Sequence, residues 1–93
     1  MSPKSERRAA RDAVAAYHEV CLAELITHVG QAVDSFRARE IDAFAVDQAL
    51  YQYSRSTKEL WKFCNLTPVE IAAQAVLDQP TIDRWEQGAP RRL

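Results

Sequence analysis

The sequence predicts an all-α protein: a long antiparallel helical hairpin followed by two short C-terminal helices. Three observations carry this. The chain holds two glycines and four prolines in 93 residues, too few for a run of hairpin turns or long loops. Its apolar residues recur at steps of three and four, the period of a helix with one buried face. Each apolar run is preceded by a residue able to cap a helix start. At this length one domain, residues 1–93, is expected.

The first helix is predicted over residues 3–38. Ser2 can cap it, and Pro3 sits at the first helical position, where a missing N–H costs nothing. Val14, Tyr17, Cys21, Leu25, Val29, Ala32 and Phe36 then mark one face, and Leu22, Ile26 and Val33 widen it. Gly30 interrupts the pattern. A helical glycine costs about 1 kcal/mol against alanine, so it predicts either a break near "HVGQ" or the close approach of another helix.

The second helix is predicted over residues 43–64. Asp42 is a good N-cap, and Ile41 can staple to Val46. Val46, Leu50, Tyr53, Thr57, Leu60 and Cys64 fit its buried face, while Tyr51, Arg55, Lys58 and Lys62 fall on the outer one. The link between the two helices is short, and short links join antiparallel neighbours. A helix of about 35 residues outreaches one of about 22, so the N-terminal stretch "PKSERRAARDAVAA" is left to fray, to meet the C-terminal helices or to lie against another subunit.

Two short helices complete the chain, predicted at 68–76 and 79–87. Asn65 ends the helix before them. "TPVE" is a capping box, with Thr67 as cap, Pro68 in the first turn and Glu70 reaching back; Leu66 can staple to Ile71. Asp78 is expected to cap the last helix, which Gly88 and Pro90 end.

Several function classes find no footing in these residues. A net charge of −1 offers no general attraction for nucleic acid or an anionic membrane. No segment approaches the ~20 apolar residues of a membrane span, and the first residues lack the apolar core of a signal peptide, so a cytoplasmic location is expected. No nucleophile motif, phosphate loop or paired carboxylate stands out, so neither catalytic residues nor a cofactor is expected. His18, Cys21 and Cys64 could come together across the hairpin, but they are three ligands where a structural zinc takes four, and buried thiols are the expectation.

The apolar faces are broader than one antiparallel contact can cover, which predicts a homodimer or a protein partner. Leu22, Ile26 and Val33, with the outer stripe Tyr51, Arg55, Lys58 and Lys62, are the candidate partner-binding residues. The phrases "IDAFAVDQALYQYSRSTKELWKFCN" and "RWEQGAPR" resemble those of small, uncharacterised bacterial helical proteins, some of them antitoxin-like partners of nucleotidyltransferase-type toxins. That resemblance implies a non-enzymatic antitoxin or adaptor whose partner is a toxin.

A second resemblance implies an alternative. "LTPVEIAAQAVLDQPTIDRWEQG" is similar to the core of the Cro-like phage-repressor helix-turn-helix family, matching at Leu66, Thr67, Glu70, Ile71, Ala72, Leu77, Thr81, Ile82, Trp85, Glu86 and Gly88. It implies a transcriptional regulator using residues 67–88, with Gln79, Thr81 and Arg84 facing base edges and Gln87 a phosphate. The chain departs from the pattern at Val76, where the family has a turn glycine, and at Pro80, which replaces a contacting side chain. From Leu66 to Leu93, three arginines face four acidic residues, a local charge of −1 where phosphate attraction needs the opposite sign.

Overall fold

The computed structural model describes residues 3–78 and 82–90, Pro3 by its backbone alone. Four helices follow one another, α1 (Pro3–Arg37), α2 (Ala43–Leu66), α3 (Val69–Asp78) and α4 (Arg84–Gln87), with no strand among the described residues. A 35-residue helix is about 52 Å long, and α1 sets the long dimension of a molecule measuring 56 × 30 × 20 Å.

The turn between α1 and α2 is built from local bonds. Asp42 is extended and its carboxylate accepts from the Ala45 amide at 2.9 Å, the predicted cap. On the other side Arg39 takes a left-handed conformation, φ 60°, while the Arg39 amide donates to the Phe36 carbonyl and the Glu40 amide to that of Ser35. These bonds satisfy two carbonyls at the end of α1, at a conformational cost glycine would avoid.

The core is small. Cys21, Leu25 and Leu60 form a buried cluster, on which Tyr17, Leu22, Tyr53, Cys64 and Trp85 pack. Tyr17 meets Phe63 edge to face, with ring centroids 5.8 Å apart. Val14 and Ala72 are the other buried apolar residues among those described.

The overhanging start of α1 finds its cover in α3. Arg7 pairs with Glu70 at 3.4 Å, and Arg11, Val14, Ala15 and His18 line a shallow cleft with Cys64, Asn65 and Val69. Glu70 therefore turns to α1 rather than back toward Thr67. Both partners of that ion pair are more than half exposed, so it contributes little beyond orientation.

Several boundaries differ from those expected. α2 continues to Leu66, past Asn65, whose side chain donates to the Trp61 carbonyl instead of ending the helix. α3 continues to Asp78, which is not a cap: its carboxylate accepts from Gln74, one turn earlier. The last helix is one turn long, and Asp83 caps it through the Glu86 amide at 3.1 Å. Its predicted first half, with Gln79 to Thr81, lies outside the described residues, as does Ser2. Gly30 neither breaks α1 nor admits a neighbour, since a Cβ there would meet nothing within 4 Å.

Candidate functional site

The two flanks of the α1–α2 layer are built differently, and α4 defines one of them. The Trp85 carbonyl, at the end of this single turn, accepts from Gln52 Nε2 at 2.9 Å, Ser56 Oγ at 3.1 Å and the Gly88 amide at 3.1 Å. The Gly88 carbonyl accepts from Arg55 Nε at 2.6 Å. The carbonyls left over at the end of a helix need partners, and here α2 supplies them from three successive positions along one face.

This grip requires a very close approach of backbones. A Cβ on Gly88 would lie 2.5 Å from the Gln52 carbonyl oxygen and 2.6 Å from the Ser56 amide nitrogen, as well as striking the Ser56 hydroxyl. Serine at position 56 is small enough to admit the chain and polar enough to hold it; it is fully buried. The expected apolar face of α2 contained no hint of this, because a buried serine inside such a run reads as a weak position.

Arg84 and Trp85 secure α4 against α1. The Arg84 guanidinium is buried, donating from Nε and Nη2 to the Tyr17 hydroxyl at 3.0 and 2.9 Å and from Nη1 to Gln87 Oε1 at 2.8 Å. It also lies over the Phe63 ring at 4.8 Å from the centroid. The Trp85 ring stacks on His28 with centroids 4.5 Å apart and planes 3° from parallel. Burial raises the Tyr17 hydroxyl above its ordinary pKa, with Cys21 adding to the rise and Arg84 opposing it. Burial likewise raises the Cys64 thiol, again against Arg84.

Two of the four residues that the repressor resemblance assigns to DNA, Arg84 and Gln87, thus bond to the chain's own groups. Gln79 and Thr81 lie outside the described residues. Val76 is an ordinary helical residue within α3, not a turn.

Among the described residues the opposite flank is bare. Counting about 100° per residue, Leu22, Val33 and Ile26 fall about 60°, 80° and 100° round α1 from buried Leu25. Leu50 and Trp61 fall about 80° and 100° round α2 from buried Leu60. Tyr17 and His28, and Gln52 and Ser56, turn the other way, toward α4. Ile26 is 55% exposed, Trp61 52% and Leu50 47%, so Leu50 belongs to this open flank rather than to the core where its spacing placed it. Leu22 and Val33 are half-buried.

The seven expected partner-binding residues therefore do not form one surface. Leu22, Ile26 and Val33 share the bare flank. Tyr51, Lys58 and Lys62 sit on the back of α2, exposed, with Lys62 paired to Glu59 at 3.2 Å. Arg55 is committed to α4. Leu50 and Trp61 were the residues to add, and their large size on the margin of an apolar stripe was the available signal.

Among the described residues no group of three or more histidine, cysteine or acidic side chains is placed to hold a metal, and Cys21 and Cys64 are free thiols. Among them, too, no helix is long and apolar enough to cross a membrane. No protein-family profile, curated protein or solved structure matches the chain.

Proposed function

We propose that this chain acts by binding protein, as a non-enzymatic interaction module of the antitoxin or adaptor kind, with the bare flank of an antiparallel α1–α2 hairpin as its contact surface. The observation that carries the reading is an excess of surface. A compact protein of 10.5 kDa exposes roughly 5,400 Å², and this chain exposes 7171 Å². The radius of gyration, 16.3 Å, likewise exceeds the roughly 12 Å of a compact chain of this length.

The excess is rich in large apolar side chains. Ile26, Leu50 and Trp61 are about half exposed, and Phe44 is 81% exposed, while five apolar residues are buried among the described ones. A standard interface takes about 800 Å² from each partner, so the surplus is large enough to supply one. The antiparallel direction is supported by Tyr17 meeting Phe63 while His28, through Trp85, lies level with Gln52 and Ser56.

Affinity purification of the full chain from its host, followed by mass measurement of the intact complexes, tests this reading. Stoichiometric association, with itself or another protein, is the expected result; association that survives Ile26→Glu and Trp61→Glu would move the surface elsewhere. A monodisperse monomer that captures nothing removes the proposal. Regulation through DNA, the alternative use of residues 67–88, gains nothing from the geometry of Arg84 and Gln87.

A further inference from the structure

Resting on the interaction reading, we propose that the occupant of the bare flank is a second copy of this chain, crossing α1 antiparallel about a two-fold axis level with residue 28. Two patterns on α1 share that centre. The first is steric. Ile26 projects from the flank, 55% exposed, while two residues beyond the centre Gly30 leaves a gap with nothing within 4 Å. A two-fold axis opposite residue 28 places Ile26 of each copy over Gly30 of the other, a side chain into the space left by a missing one.

The second pattern is electrostatic. Glu19 and Arg37 are exposed, both about 120° round α1 from Leu25, and each stands nine positions from residue 28. The same axis brings Glu19 of one copy to Arg37 of the other, twice. Neither Glu19 nor Arg37 makes an ion pair among the described residues.

One axis thus satisfies a gap, a projection and an opposite-charge pair that the symmetry makes twice. A surface that is its own complement under a two-fold rotation recognises a copy of itself better than an unrelated protein. The product is a four-helix bundle made from two layers, in which Gly30 of each α1 admits the facing helix.

Sedimentation equilibrium of the full chain and three variants tests the assignment. The wild type sediments as a dimer. Gly30→Gln, whose Cβ meets nothing within 4 Å and which improves helix propensity, keeps its helical circular dichroism but raises the dimer dissociation constant at least tenfold. Glu19→Arg and Arg37→Glu each weaken the dimer about fivefold at low salt, two exposed ion pairs being lost. Mixing those two variants, or joining both changes in one chain, restores it.

A wild type that stays monomeric at about 100 µM overturns the proposal, as does a dimer indifferent to Gly30→Gln and to the charge exchange. A monomer that binds a different protein through Ile26 and Trp61 overturns it while leaving the interaction reading in place.

Discussion

The two flanks of the α1–α2 layer are lined by different side chains, polar groups at Tyr17, His28, Gln52 and Ser56 on one and large apolar ones on the other, and they end in opposite states. On one, α4 is held by bonds to Trp85 and Gly88 carbonyls and by the buried Arg84 guanidinium, although only four residues are helical. On the other, among the described residues, no element covers Ile26, Leu50 and Trp61, and Leu22 and Val33 are half-buried. Polar groups at fixed spacing, not apolar area, decide which side the chain itself closes. A four-residue helix could not persist alone, since its few backbone bonds do not offset the cost of ordering it.

The sharpest way to break this contrast is to make the same substitution at both glycines. Gly88→Ala drives a methyl group into the backbone of α2 at Gln52 and Ser56, which cannot retreat as a flexible side chain would. It should cost about 3 kcal/mol and detach α4, seen as a lower urea midpoint and loss of the Trp85–His28 stack in NMR shifts. Next in size, Arg84→Ala removes three hydrogen bonds and a large buried side chain, and should cost about 2–3 kcal/mol in the same unfolding measurement. A loss under 0.5 kcal/mol would mean that solvent replaces the guanidinium without penalty.

Gly30→Ala reverses the sign. With open space around the added methyl, it should stabilise the dilute chain by about 1 kcal/mol, read by thermal unfolding at concentrations below association. The smallest effect is on pH. Tyr17 and Cys64 are both raised by burial from ordinary values of 10.0 and 9.0, so the native state holds their protons more tightly than the unfolded chain does. Stability is complete below about pH 9 and falls as pH rises through the folded values. Replacing Cys64 with alanine should delay the onset of that fall in a urea series between neutral pH and pH 11; a flat profile would contradict the burial of both groups.

Much of the fold was legible because it depends on near neighbours. Asp42 could be read as a cap, and the apolar spacing marked α1 and α2, since both follow from residues a few positions apart. The end of the chain was harder. Asp78 and Asp83 each offer a cap before a polar stretch, and the choice fell to Asp83 because α4 begins where Arg84 can reach Tyr17, 67 positions away. Arg39 bears no glycine signature, yet it takes the left-handed turn. Tertiary contact overrides the local preference at Asp83, and the closing bonds of α1 override it at Arg39.

The candidate surface was legible in part. Ile26 and Val33 were readable from a stripe too wide for one neighbour, but periodicity has no handedness with respect to α4, so it could not say which margin would stay open. Tyr51, Lys58 and Lys62 were grouped with them by exposure, and the helix turns them to another side.

The two tryptophans report separately on this division. Trp85 lies flat against the His28 imidazole at the α4 junction, whereas Trp61 stands half in solvent on the bare flank. With Trp61→Phe, fluorescence follows the undocking of the last turn; with Trp85→Phe, a blue shift signals that the open side has been occupied. The native chromophores therefore allow internal closure and external association to be timed independently, without a label.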